Sequence, residues 1–364
     1  MRILLLAGEE SGVLYAEGIR AAVLARRSDA EIRGYSDYGF RVEDLAVMGV
    51  GQVLRRLFYF LRVKRTMERA IAEWRPDVVC TVDYPGMNLK LAAYAKRRNV
   101  RTVHVVCPQV WAWKRGRIPK IEAALDRLCC FFPFEPGLFR PGFASFVGHP
   151  LADDFNAESA RRGVGAGKTL AILPGSRMGE IEKHMPVLLQ VVEKIRSQGL
   201  GGSSLQVVVP AANEKAYRAI SKAVEQSNDQ AVSVQLGGAR GLLRRADAAV
   251  VASGTATLEA ALAGGPTVLV YKVGWFFAFL ARRFIKGVRH IGLANIIAEK
   301  AGTPCPMPEL LQEDFTAENV LREVKPLLTD AVANETARRS LEDTMRLIRS
   351  DGGAISRIVD CIVG

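Results

Sequence analysis

Short apolar runs, each ending at a small-residue loop and each followed by a helix-period segment, constrain this chain more than any other feature. Arg2 to Leu6 reads as a buried strand, with a glycine and serine loop at Gly8 to Gly12 and helical spacing from Leu14 to Ala25. Asp77 to Val82 (DVVCTV) reads as a second strand, ending in the loop Asp83-Tyr84-Pro85-Gly86. Thr102 to Val106 is a third, after the polar turn Arg97 to Asn99. Strands apolar on both faces that alternate with helices predict a parallel sheet covered on both sides. Ligands of such sheets sit at the carboxyl ends of the strands, so the loops after Leu6, Val82 and Val106 are the places to search.

The pattern lapses in the polar, glycine-rich segment Asp153 to Gly167 and then restarts. Thr169 to Leu173 is a strand, followed by Pro174-Gly175-Ser176-Arg177 and a helix from about Ile181. Leu205 to Val209, Ala248 to Ala252 and Thr267 to Tyr271 are further strands; the second of these runs into Ser253-Gly254-Thr255 and an apolar helix through Ala263. The predicted organisation is α/β, with two Rossmann-like doubly wound domains, 1–164 and 165–342, and a cleft between them for a donor and an acceptor. The helical segment 343–364 is expected to pack back on the first domain. A chain of 364 residues, 49% hydrophobic, is long enough for two such cores.

The net charge of +12 calls for an anionic partner or a generic basic surface. Nucleic acid, anionic lipid and phosphorylated substrates all fit, but no nucleic-acid motif is found, so no nucleic-acid partner is expected. The start, MRILLLAGEESG, does not read as a signal peptide, because its apolar run is short and acids follow at once. The longest apolar stretch, Val268 to Leu280, is broken by Lys272 and falls short of a spanning helix. Six cysteines without CxxC spacing suit core thiols in a reducing cytoplasm. Four histidines without ligand spacing give no metal site, and no cofactor is expected.

Within the loops, each candidate has a functional and a structural reading. Backbone N–H groups and hydroxyls at Ser253, Gly254 and Thr255 suit a diphosphate, with Glu259 one turn on for ribose hydroxyls; the alternative is an ordinary turn with a threonine N-cap. Gly175, Ser176 and Arg177 suit a developing phosphate charge, or Arg177 is simply solvated. Asp83, at a strand end, is a general base or an Asx-turn residue. His104 reads as core, His149 as reaching the cleft, and His184 as a surface residue.

Val50 to Arg65 is amphipathic, with Val53, Leu57 and Phe58 on its apolar face and Arg55, Arg56, Arg62, Lys64 and Arg65 around it. Trp275 to Arg289 repeats the theme, with Phe276, Leu280 and Phe284 opposite Arg282, Lys286 and Arg289. Such faces suit an anionic membrane surface, or two core helices with solvated backs.

Several segments also resemble, in order, those of one family: Gly8 to Gly12 its opening AGExSGD, Glu43 to Gly49 its E-x-LAVMG, and Val82 to Asn88 its D-x-P-x-F-N. Pro108 to Trp113 matches its P-x-VWAW, followed by Phe131 to Glu135, Val147 to Pro150, Leu173 to Arg177 and Ser253 to Glu259. Gly292 to Ile296 and Glu309 to Glu313 complete the series. The family is lipid-A-disaccharide synthase. The resemblance implies a GT-B fold and an inverting transfer. It joins UDP-2,3-diacylglucosamine to 2,3-diacylglucosamine 1-phosphate (lipid X), with release of UDP, on the cytoplasmic face of the inner membrane. It implies that Asp83 is the base for the acceptor 6-hydroxyl and that the second-domain loops hold UDP. The candidate substrate-binding residues are then Glu9, Ser11, Asn88, Trp113 and His149, together with Gly175, Ser176, Arg177, Ser253, Gly254, Thr255, Glu259, Asn295, Gln312 and Glu313. A homodimer is among the assemblies left open. The family's Asp is replaced here by Val13 after Ser-Gly and by Gly86 in D-x-P-D, and the segment from Gly34 to Glu43 is short. Other readings are therefore a GT-B enzyme with another acceptor, a UDP-sugar epimerase, or a non-catalytic homologue binding nucleotide sugar or lipid.

Overall fold

The computed structural model describes residues 1–45, 57–112, 114–157, 168–202, 204–227, 232–273 and 289–364. It divides into two compact units, Met1–Asp153 with Ile348–Gly364, and Asp154–Leu347.

The first unit is built on six parallel strands: β1 (Arg2–Ala7), β2 (Glu31–Arg33), β3 (Val78–Val82), β4 (Arg101–Val105), β5 (Arg127–Cys130) and β6 (Ala144–Phe146). Their order is β2-β1-β3-β4-β5-β6. Because side chains alternate across a strand, each strand supplies both faces. Ile3, Leu5, Cys80, Val82, Val103 and Val105 pack with Ile19 and Val23 of helix Glu10–Arg26 and with Ile358 and Ile362 of helix Ala354–Val363. On the other face, Leu4, Leu6 and Val79 meet Val63, Met67 and Ile71 of helix Leu57–Trp74. The chain order of the strands reverses between β1 and β3, so the loops after these two strands diverge at the sheet's switch point.

The second unit repeats the plan with β7 (Thr169–Leu173), β8 (Gln206–Ala211), β9 (Val232–Leu236), β10 (Ala248–Ala252), β11 (Thr267–Tyr271) and β12 (Glu309–Leu311), all parallel, in the order β12-β11-β10-β7-β8-β9. Leu170, Ile172, Val207, Val250 and Val268 pack under helices Met178–Ser197, Glu214–Gln226 and Ala317–Thr329. Ala171, Leu173, Ala249 and Val251 pack against Leu242 and Leu243 of helix Ala239–Arg245. Here the reversal falls between β7 and β10, whose following loops are Pro174 to Arg177 and Ser253 to Thr255.

Among the described residues, no helix is long and apolar enough to cross a membrane. Val53, Trp113, Phe276, Leu280 and Phe284 lie outside the described residues, as does the side chain of Leu57.

Candidate functional site

In the first unit, the two switch-point loops are locked together by close contact. Gly8 lies under the Tyr84 ring, and a Cβ there would sit 2.4 Å from Tyr84 Cδ1, so no other residue fits without moving the ring. Asp83 and Tyr84 both take left-handed backbone, with φ of 49° and 50°, a conformation that costs a non-glycine residue and is held by what surrounds it. The holding group is Asn88. It is wholly buried, and its amide donates to the carbonyls of Leu6, Val82 and Asp83 at 3.2, 3.1 and 2.8 Å. Its Oδ1 accepts from the Tyr35 hydroxyl at 2.8 Å. Asn88 thus ties β1 to β3 and fixes the peptide that carries Asp83.

Asp83 Oδ1 accepts the Tyr84 N–H at 2.8 Å. Burial raises its carboxyl above the usual aspartate range, and the Tyr84 N–H pulls the other way. Glu9, on the β1 loop, is raised by partial burial and then by Asp83 itself. Both carboxyls line a cavity of about 300 Å³ with Pro85, Val106, Gln109, Val110, Arg117, Phe131, Phe132 and Glu135. Val106 is a β-branched residue at φ 76°, a second strained point in the wall. Ser11 is exposed in the first turn of the helix that follows Glu9. Val13 packs on the core, whereas Gly86 is exposed with open space around it.

His149 is buried among Tyr15, Phe131 and Phe132 and accepts the Leu151 N–H on Nδ1 at 3.2 Å, which leaves Nε2 to carry the proton. Burial lowers it to about 4, so it is a neutral ring at physiological pH. His104 is also wholly buried, with Nδ1 2.7 Å from the Thr81 hydroxyl.

Glu135 was not among the candidates. It accepts from Trp111 Nε1 at 3.2 Å and from the Phe132 N–H at 3.1 Å, and burial pushes it up to about 8. Its carboxylate and the Cys107 and Cys130 sulfurs lie within 4.8 Å of one another, a donor set of a kind that suits a soft divalent ion, although the Glu135 oxygens already accept two N–H groups. Cys107 stands more than twenty residues before the other two, so spacing alone gives no sign of the cluster. The one available signal is a glutamate at the end of the aromatic run Phe131 to Glu135.

The second unit presents mostly backbone. Gly175 has φ 108°, and a Cβ there would meet Glu180 Oε2 at 2.5 Å. Glu180 belongs to a capping box with Arg177, whose guanidinium it also meets at 3.2 Å. Ser176 and Arg177 are exposed. Gly254, not a threonine, is the N-cap of helix Thr255–Leu262, and no side chain caps it. The Thr257 N–H turns back to the Gly254 carbonyl at 3.1 Å, and no side chain caps the N–H groups before it, an arrangement open to an anion. Ser253 is partly exposed and Thr255 exposed. Glu259 is raised by burial, with Arg240 Nη2 at 3.8 Å opposing that shift.

His184 is wholly buried, which overturns its reading as a surface residue. Its Nδ1 lies 2.7 Å from the Pro174 carbonyl, and its Nε2 accepts the Lys272 N–H at 3.0 Å, so it ties the β7 loop to the end of β11. A histidine after a glycine loop gives no sequence sign of this; the pairing comes from the sheet order. Asn295 is likewise spent internally. Its amide donates to the Met307 carbonyl at 2.8 Å and to Glu309 at 2.9 Å. Gln312 takes left-handed backbone with its amide facing the Val273 peptide, while Glu313 is exposed beside it.

Solved structures share this architecture. A UDP-GlcNAc 2-epimerase from Neisseria meningitidis bound to UDP-GlcNAc superposes with a TM-score of 0.63 at 11% identity, covering 99% of each chain. CalG4, a calicheamicin glycosyltransferase, gives 0.58 at 16% identity, covering 99% of this chain and 96% of its own. Two Rossmann-like units with loops at both switch points define the GT-B class. The family model for lipid-A-disaccharide synthetase matches residues 3–355, and lipid-A-disaccharide synthase of Myxococcus xanthus (strain DK1622) is 34% identical over 380 residues, covering 100% of this chain and 97% of that protein. The chain belongs to the lipid-A-disaccharide synthase family. It is an enzyme, a glycosyltransferase of lipid A disaccharide formation, with a UDP-sugar and a lipid acceptor as substrates.

Proposed function

We propose that the chain joins UDP-2,3-diacylglucosamine to 2,3-diacylglucosamine 1-phosphate, with inversion at the anomeric carbon, and that Asp83 is the base. Asp83 takes the proton of the acceptor 6-hydroxyl as that oxygen attacks the anomeric carbon. A C–O bond forms there while the bond to UDP breaks, and UDP leaves with the electron pair. The observation that carries this reading is the Asp83 carboxyl at the β1/β3 switch point. It faces a cavity, its backbone is strained, and burial has raised its proton affinity toward the working range of a base.

The diphosphate belongs, on this reading, to the glycine turns at Gly175 and Gly254, where helix N-termini and Arg177 supply charge stabilisation. Glu259 accepts the ribose hydroxyls. Asn88, Asn295 and His184 act through the loops they fix and do not touch substrate.

The enzyme works on this reading as a peripheral protein of the inner membrane's cytoplasmic face. Support comes from helix Leu57–Trp74, where Phe58 is 85% and Leu61 40% exposed beside exposed Arg62 and Arg65. The deciding experiment is an assay with labelled UDP-diacylglucosamine and the diacylglucosamine 1-phosphate acceptor. Stoichiometric disaccharide and UDP are expected. UDP binding without product would favour the non-catalytic homologue.

A further inference from the structure

Among the described residues, the cavity beside Asp83 is lined by one cation, Arg117, whose guanidinium meets no hydrogen-bond or ion-pair partner. It stands on the short turn Arg115–Arg117, partly buried, and lines the same wall as Glu9 and Asp83. In the larger cavity at the amino ends of β4 and β5, of about 780 Å³, Lys96 meets Asp126 at 3.1 Å, Arg101 donates to the Cys361 carbonyl at 2.9 Å and Arg127 to the Gly142 carbonyl. Nor does Arg117 serve the two catalytic-side carboxyls as a counterion. Burial raises both Asp83 and Glu9, whereas a guanidinium held against them would lower them. A partly buried guanidinium whose fork is unused, in a pocket walled by Phe131, Phe132 and Val110, is arranged to take a planar or tetrahedral oxyanion from outside the protein.

We infer that Arg117 is an anion subsite of the first unit that holds the phosphate monoester of the acceptor sugar and so selects phosphorylated over unphosphorylated acceptors. The inference rests on the proposed reading of Asp83 as the base, because it needs the acceptor in this cavity. Selectivity follows from the chemistry. The carboxyls at Glu9 and Asp83 repel an anion, so only a phosphate that reaches Arg117 gains from entering.

The test crosses two enzymes with two acceptors. Wild type and Arg117→Ala are assayed with 2,3-diacylglucosamine 1-phosphate and with the same sugar lacking the phosphate. A charged hydrogen-bonded pair of this kind is worth roughly a 10- to 100-fold change in affinity. The expected result is a KM for the phosphorylated acceptor higher by about that factor in Arg117→Ala, an unchanged KM for the unphosphorylated one, and an unchanged Kd for UDP. Arg117→Lys, which keeps the charge and loses the fork, should fall between. An equal loss with both acceptors, or no loss, overturns the subsite. A weakened UDP with unaltered acceptor selectivity would also overturn it, by assigning Arg117 to the donor diphosphate. Calorimetric titration with glucosamine 1-phosphate reads the same subsite without turnover. Weaker binding to Arg117→Ala at unchanged melting temperature supports the subsite, and equal binding overturns it. Absence of disaccharide from wild type would sink the proposed reaction and leave this binding result to decide the subsite by itself.

Discussion

Beyond the ends of β1, β3, β4 and β5 the polar groups that line one cavity are side chains: Glu9, Asp83, Arg117 and Glu135. At the ends of β7 and β10 they are largely backbone, offered by the glycine turns at Gly175 and Gly254 and by two helix starts. The same sheet plan thus carries two kinds of site. Backbone N–H groups at a helix start are fixed and positive, which suits a diphosphate that must be bound tightly and then stabilised as it leaves. A proton acceptor needs a side chain whose affinity can be tuned, and tuning needs burial; on the proposed reading of Asp83 as the base, the strained backbone at Asp83 and Tyr84 brings a carboxyl to a half-dry wall.

The sharpest way to break this contrast is Asp83→Asn. The amide keeps the shape and the bond from Tyr84 but takes no proton. Turnover should fall by about 10²–10⁴-fold, with UDP affinity and melting temperature unchanged. The pH profile carries a signed check. The base must be unprotonated to act, and burial raises its proton affinity, so kcat/KM should rise with pH along a limb above the ordinary aspartate range near 3.8. Near wild-type turnover in Asp83→Asn would place the base elsewhere.

Asn88→Leu and Gly175→Ala sharpen the contrast between the two units. Leucine at 88 is close in volume but leaves the Tyr35 hydroxyl and the Leu6, Val82 and Asp83 carbonyls without the amide. A loss of about 2–4 kcal/mol in chemical denaturation is expected, with turnover falling because Asp83 is no longer held. At 175, alanine must adopt φ 108° and push the Glu180 carboxylate aside. The cost is about 1–3 kcal/mol, and it should be read mainly as weaker UDP by calorimetry. If both variants lose stability alone and bind and turn over normally, the division of labour fails.

How much of this was legible in the sequence follows from burial. Strands β1, β3, β7, β10 and β11 are continuous apolar runs, because both their faces are covered, and the loops after the first four are legible with them. Strands β2, β6, β9 and β12 lie at sheet edges, are short or half exposed, and carry no such run. Strand β5 is only four residues, RLCC. Asp83, Gly175 and Ser253 to Thr255 could be read because a strand end is a local feature. Glu135 with Cys107, and His184 with Lys272, could not, because each pair meets only when the sheet order brings separate loops together. Asn88 was legible as a neighbour of the loop, but its threefold grip on backbone carbonyls depends on β1 lying beside β3.

The smallest expected effect concerns the side chain proposed to read the ribose in the second unit. Glu259 lies on helix Thr255–Leu262, about one turn beyond the glycine turn at Gly254, half-buried and raised by that burial, with Arg240 opposing the shift from 3.8 Å. At that separation the guanidinium is a weak partner, so the carboxylate keeps acceptor capacity for two adjacent hydroxyls. Glu259→Ala removes those acceptors and frees Arg240 without opening the core, because the residue sits at the helix surface beside buried Leu258 and Ala260. UDP affinity should fall by about 10-fold, the value of one or two charge-assisted hydrogen bonds. The melting temperature should hold. Uracil-containing ligands without ribose hydroxyls separate the cases: 2′,3′-dideoxy-UDP should bind wild type and variant alike, so that the mutation and the missing hydroxyls are not additive. If the variant binds UDP as well as wild type does, Glu259 has no ribose role, and the second unit's proposed site rests on its backbone turns and Arg177.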